Sequence, residues 1–122
     1  MNKSVDKVDE LIEAYGSTIT IPTELLINPK FNNSGDRPRL YHNDVILYGY
    51  LVEEMKRSGK KDKDGRPYVN VRNYEIATVI GVTDGSTPTS MLKRLEKYGL
   101  IEREKQAVGK PNHIYIHEIS RT

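Results

Sequence analysis

The sequence predicts an α+β domain in which helices come first and a short β-hairpin follows. Three observations predict it. Apolar residues recur at helical spacing over residues 45–55 and again over 91–98. A tight-turn stretch, "VTDGST" (82–87), separates the second of these helices from a short one just before it. Finally, "LIEREKQ" (100–106) and "HIYIHEI" (113–119) are short alternating runs joined by the glycine-proline tip "AVGKPN".

The elements follow in order. Val5, Val8, Leu11, Ile12 and Tyr15 form a helical stripe among acids and lysines, and Gly16 stops it. This additional N-terminal helix, residues 1–17, is expected either to pack on its own domain or to make a dimer contact; residues 18–122 form the main domain. "STITIP" (17–22) alternates like a short strand ended by Pro22, and "TELLI" (23–27) reads as one helical turn broken at Asn28-Pro29. "NNSGDRPR" (32–39) is a loop. A long helix follows, capped by Asn43 or Asp44, with Val45, Ile46, Tyr48, Leu51, Val52 and Met55 as its apolar face. After a lysine-rich loop turning at Asp64-Gly65, "RPYVNV" (66–71) is a short strand. "DKDG" lacks the ligand spacing of a calcium loop and is read as a turn. "NYEIATVIG" (73–81) is a short helix capped by Asn73, with Ile76, Ala77 and Ile80 inward. "PTSMLKRLEKYG" (88–99) is a second helix, with Pro88 at its first position behind a Thr87 cap.

Composition narrows the function classes. With 122 residues the chain supports one modest core. It has no cysteine, which removes disulfides and thiolate metal sites, and its three histidines stand in no zinc-enzyme pattern, so neither a metal nor a cofactor is expected. No apolar run approaches the roughly 20 residues that a bilayer requires, and no signal peptide is evident, so a cytoplasmic location without membrane association is expected. The net charge of +2 is unevenly spread. The N-terminal stretch is net acidic, whereas residues 56–66 carry six basic side chains against two acidic ones. A polyanion would prefer the later parts of the chain. There is no cysteine nucleophile, phosphate-binding glycine loop or evident serine–histidine pairing, so no catalytic residue is assigned and an enzyme is not expected.

Helix, tight turn, helix and two-stranded hairpin is the order of a winged helix-turn-helix. A major groove about 12 Å wide admits one helix, which must show polar side chains outward while an apolar face anchors it. In the second helix Met91, Leu92, Leu95 and Tyr98 cluster on one side, and Thr89, Ser90, Lys93 and Lys97 lie opposite with Arg94 on the flank. Short hydroxyls near the start suit base edges, and long cations suit phosphates. The expected recognition-helix contacts are therefore Ser86, Thr87, Thr89, Ser90, Lys93, Arg94 and Lys97. In the hairpin, Gly109 lets the chain reverse and Pro111 stiffens the tip. The expected wing contacts are Gln106, Lys110, Asn112 and His113, with Ile114 and Ile116 packed inward and Tyr115 and His117 on the other face. Taken singly, a cationic helix face is most often solvated surface and a glycine hairpin an ordinary turn. It is their order along the chain that favours DNA.

"INPKF" (27–31), "DVILYGYL" (44–51), "DGRPYV" (64–69), "LKRLEKYGLIERE" (92–104) and "GKPNHIYI" (109–116) together resemble the N-terminal domain of the RepA-N replication initiators, a family found on plasmids of Gram-positive bacteria. The resemblance spans about residues 18–119, and "NPKF" upstream with "GKPN-x-IY" downstream is its most specific part. It implies a winged-helix domain that binds repeated double-stranded DNA sites in a replication origin as a homodimer. It also implies host replication factors as partners, engaged through a separate C-terminal domain, so the chain is expected to be an excised domain or a shortened relative. The sequence departs from the family pattern in a slightly longer turn before the recognition helix, with Gly85 and Pro88 inside it, and in Tyr41 at the expected small cap of the long helix. The competing readings are a transcriptional regulator of the same fold and a winged-helix protein-interaction module.

Overall fold

The computed structural model of the protein describes residues 18–31, 39–83 and 86–119. In chain order they form α1 (Glu24–Ile27), a 3-10 turn (Pro29–Phe31), α2 (His42–Ser58), α3 (Asn73–Ile80), α4 (Ser86–Lys97), β1 (Ile101–Glu104) and β2 (His113–Ile116). The N-terminal helix expected over residues 1–17 lies outside the described residues, as does most of the loop over 32–39.

The core lies where α2, α3 and α4 meet and where the hairpin closes over them. Leu47 and Leu51 of α2, Ile76 of α3 and Leu95 of α4 are all fully buried, and Leu100, Ile101 and Ile114 extend this core into the hairpin. Leu25, Phe31 and Leu40 seal its other side, with the Phe31 ring 5.4 Å from that of Tyr98. The Tyr48 hydroxyl donates to the His117 carbonyl at 2.8 Å, which ties the middle of α2 to the end of the hairpin. The arrangement is a winged helix: α3, turn and α4 followed by an antiparallel pair in register Ile101↔Ile116 and Arg103↔Ile114.

Several elements differ from their sequence expectation for identifiable reasons. "STITIP" does not form a strand over its described residues 18–22. Period-two alternation predicts an extended chain, but a strand also needs a partner ladder. The Thr20 carbonyl instead lies over Gly49 of α2, where a Cβ would stand 3.2 Å from it. "RPYVNV" contributes only single bridges, Lys61 to Pro67 and Val69 to Ile114. Val69 and Ile114 exchange both backbone hydrogen bonds at 2.9 Å, while Pro67 has no N–H to extend a ladder.

The helix starts also shift. α2 begins at His42 behind an extended Tyr41, whose N–H donates to Asp44 Oδ2 at 2.8 Å, so Asp44 caps from inside the first turn. α3 begins at Asn73 with Arg72 at the capping position, and the Asn73 amide is used elsewhere. α4 begins at Ser86, so Pro88 stands third rather than first and Thr87 is inside the helix. First-turn N–H groups lack intrahelical acceptors, so proline is tolerated there too. On α2 the apolar face is wider than the sequence suggested: Leu47 is fully buried and Ile46 only half-buried, because α2 packs against α3 and α4 on one side and the 18–31 segment on the other.

Candidate nucleic-acid interface

The turn of α4 sorts its side chains into four strips. Met91, Leu92 and Leu95 point into the core. Ser90, Lys93 and Lys97, spaced three and four residues apart, form one exposed strip on the opposite side. Thr89 is half-buried on the strip facing α3, where its Oγ1 accepts a 3.0 Å hydrogen bond from Asn73 Nδ2. Thr87 is half-buried, and Ser86 opens the helix.

Arg94 occupies the remaining strip and does not join Lys93 and Lys97. Its Nε and Nη2 donate to the two carboxylate oxygens of Asp44 at 2.7 and 2.9 Å. Asp44 is wholly buried, and this pair locks α4 onto α2. The hydrogen bond to Asp44 raises the Arg94 pKa above its ordinary value. Arg94, expected among the recognition-helix contacts, is therefore engaged by Asp44. Adjacent residues on a helix point about 100° apart, which is why Lys93 is exposed while Arg94 turns toward Asp44 and is half-buried.

The wing tip is a tight turn in which the Lys110 N–H donates to the Ala107 carbonyl at 3.0 Å and Gly109 takes φ 86°. Lys110 and Asn112 are exposed there, and the Asn112 carbonyl accepts from Asn70 Nδ2 at 3.1 Å. Gln106 and His113 face away from α4. Gln106 Nε2 donates back to the Glu104 carbonyl, and the His113 ring stacks on Tyr68 with centroids 3.8 Å apart.

The outer face of the hairpin is covered. Tyr115 was expected on the face opposite the core, and it is there, yet it is only 2% exposed. The 61–68 loop folds over it: the Tyr115 hydroxyl donates to Asp62 Oδ2 at 2.9 Å and the Arg66 guanidinium lies 4.0 Å above its ring. Burial first, and then the bond to Asp62, pushes the Tyr115 pKa up to about 12. Asp62 is held below its ordinary value, chiefly by the backbone N–H of Arg66. Glu102 is lowered as well, chiefly by its bond from the Arg66 side chain, and it also faces His117 at 3.3 Å.

Two clefts therefore flank the wing. One, of about 330 Å³, lies between the wing tip, α4 and the start of α3, and it brings together Arg72, Asn73, Thr89, Arg103, Lys110 and Asn112. The other, of about 660 Å³, lies on the outer face beneath the 61–68 loop and includes Gln106 and His113. Arg72 and Asn73 had no place in the sequence-derived site. Their only sequence signal is a cation and an amide at the start of the first helix of the turn motif. Among the described residues no cluster of His, Cys, Asp and Glu is arranged to hold a metal ion, and no helix is long and apolar enough to cross a membrane.

A family model described as "Replication initiator protein A (RepA) N-terminus" matches residues 19–122. Several solved structures share the fold. One described as "N-Terminal domain of DNA binding protein" aligns with TM-score 0.70 at 20% identity, covering 90% of this chain and 81% of that one. "Structure of Rep-DNA complex" gives TM-score 0.70 at 20% identity over 90% and 82%, and "Structure of MDR initiator" gives 0.67 at 18% over 90% and 84%. None of the curated proteins matches the sequence.

Proposed function

The chain belongs to the family of replication initiator protein A N-terminal domains, and from that premise we propose that it binds double-stranded DNA through α4 and the wing, recognising repeated sites in a plasmid replication origin. One observation carries the reading. α4 is anchored by a buried apolar side and shows an exposed strip of Ser90, Lys93 and Lys97, beside a wing tip that carries Lys110 and Asn112. An anchored helix with a polar outer strip is what a major groove accepts, and a second cationic projection beside it suits the adjacent backbone.

The roles divide by chemistry. Lys93 and Lys97 reach phosphates, while the hydroxyl side chains toward the start of α4, Ser90 foremost, reach base edges. Lys110 and Asn112 meet the flanking backbone or minor groove. The domain acts as a binding module with no catalytic step, in the cytoplasm where a plasmid is copied. It works as a homodimer, since paired half-sites mirror protein symmetry. Host replication factors are engaged by a separate C-terminal domain.

The test is a titration of the purified chain at two salt concentrations, against origin-type repeats from the same replicon and against a random duplex. Tight binding that prefers the repeats and falls steeply with salt is the expected result, because phosphate contacts release counterions. Equal affinity for both duplexes would defeat origin recognition, and salt-insensitive, weak binding to both would defeat DNA binding itself.

A further inference from the structure

The two clefts beside the wing differ in charge. The cleft between α4 and the wing is lined by three cations, Arg72, Arg103 and Lys110, and among the described residues by no carboxylate. The outer cleft sets Lys61 and Lys63 against Asp62, Asp64 and Glu104. An anion is therefore drawn to one side of the wing only.

Within the inner cleft the cations are not equivalent. Arg103 is held by Glu96, to which its Nε donates at 2.8 Å. Arg72 and Lys110 have no ion-pair partner among the described residues. They come from different elements, Arg72 from the capping position of α3 and Lys110 from the wing tip. Thr89 lines the same cleft, and its oxygen already accepts from Asn73. A hydroxyl that accepts one hydrogen bond keeps its proton to donate another, so Thr89 presents a donor to whatever fills the cleft. The Asn112 amide adds a second neutral group.

We propose that this cleft seats a backbone phosphate of the bound duplex, with Arg72 and Lys110 supplying charge and Thr89 a hydrogen bond, and that the outer face of the wing takes no part. The proposal rests on the DNA-binding reading above and refines it. Arg72 becomes a contact on α3, outside both the recognition helix and the wing. Thr89 becomes a backbone contact, which leaves base discrimination to the exposed strip. A phosphate fixed between α3, α4 and the wing sets how far α4 can slide along the groove, so a sequence-independent contact would set the register in which the bases are read.

The experiment measures duplex affinity of the full chain across salt for the wild type, Arg72→Gln, Thr89→Val and the double variant Lys61→Gln/Lys63→Gln. Each duplex phosphate contact adds about 0.9 to the slope of log affinity against log salt, which is about a 3.5-fold loss over a fourfold rise in salt. Arg72→Gln is expected to weaken repeat and random duplexes alike and to flatten the slope by about that amount. Thr89→Val should lose affinity equally on both duplexes, and the Lys61/Lys63 variant should overlay the wild type. A steep wild-type slope left unchanged in Arg72→Gln would overturn the phosphate seat alone, and so would an outer-face variant that flattens the slope as much as Arg72→Gln does. A Thr89→Val loss confined to the repeats would return Thr89 to the base edges and overturn its part. A wild type that binds no duplex would sink the DNA-binding reading and this site with it.

Discussion

Replacing Arg94 with alanine separates a structural cation from a DNA contact. Asp44 is wholly buried and among the described residues accepts three hydrogen bonds, two from Arg94 at 2.7 and 2.9 Å and one from the Tyr41 N–H at 2.8 Å. Arg94→Ala removes two of them and leaves a buried carboxylate without its counter-charge. Breaking such a pair from one side costs roughly 3–5 kcal/mol. The Arg94 side chain is 21% exposed, so water can reach part of the vacated space, and we place the loss near the lower end, about 3 kcal/mol. For a domain of this length that is a fall in Tm of roughly 12 °C, at about 4 °C per kcal/mol. Asp44→Ala should cost less, since the freed guanidinium already touches solvent, although the Tyr41 cap is lost with it. The double variant Asp44→Ala/Arg94→Ala buries no lone charge and should be more stable than Arg94→Ala. Thermal unfolding followed by circular dichroism on all four proteins measures this directly. An Arg94→Ala variant within about 1 kcal/mol of wild type, against the 3–5 expected, would refute the reasoning, as would strict additivity of the two single changes. The salt slope for DNA, measured below the transition, should be unchanged in Arg94→Ala.

Lys93→Ala and Lys97→Ala should each weaken binding to any duplex and flatten the salt slope by about 0.9, while Tm hardly moves because both side chains are exposed; an unchanged affinity would remove the exposed strip from the contact. Tyr115 favours its protonated form in the fold, with a pKa raised to about 12, so its contribution to stability is intact below the ordinary tyrosine value of 10.0 and is lost as pH rises toward 12. Tyr115→Phe should therefore flatten the alkaline fall in stability over that window in chemical denaturation, and an unaltered alkaline limb would contradict the assignment. At Gly49 an added Cβ would stand 3.2 Å from the Thr20 carbonyl, and the 18–20 segment is exposed and free of a ladder, so it can yield by a few tenths of an ångström. Gly49→Ala should then stay within about 1 kcal/mol of wild type, helped by the better helix propensity of alanine, whereas Gly49→Leu should lower Tm sharply; equal melts for the two would show that the segment does not pack there.

What the sequence revealed follows from the range of the forces involved. The apolar anchor of α4 was legible because Met91, Leu92 and Leu95 repeat at helical spacing, a local pattern that burial confirms. The start of α4 was not. Pro88 fits any position in the first turn, so it could not say whether the helix began with it or, as it does, two residues earlier at Ser86. Arg94 could be placed on a flank from the helical repeat, but its partner Asp44 lies fifty positions away in sequence and carried a different expected task, capping α2. In fact Asp44 does both, accepting from the Tyr41 N–H and from Arg94. "STITIP" misled because alternation specifies a backbone shape and leaves the partner unspecified, and the partner turned out to be a glycine on a helix.

The wing shows the same limit more sharply, and with a functional consequence. Alternation correctly placed Ile114 inward and Tyr115 outward. The alternation does not say which polar residues near the tip, Gln106 and His113 among them, stay open to solvent. Outward is not the same as exposed, however. The lysine-rich loop, whose excess of positive charge had suggested an affinity for polyanions, spends Asp62 on the Tyr115 hydroxyl and Arg66 on Glu102, and thereby roofs the outer face. Its acids then offset its lysines at that cleft, and His113 is stacked beneath Tyr68. The positive field that remains by the wing lies on the α4 side, where Arg72 and Lys110 line one cleft. A charge count along the chain ranked the loop above the start of α3, and the fold reverses that order.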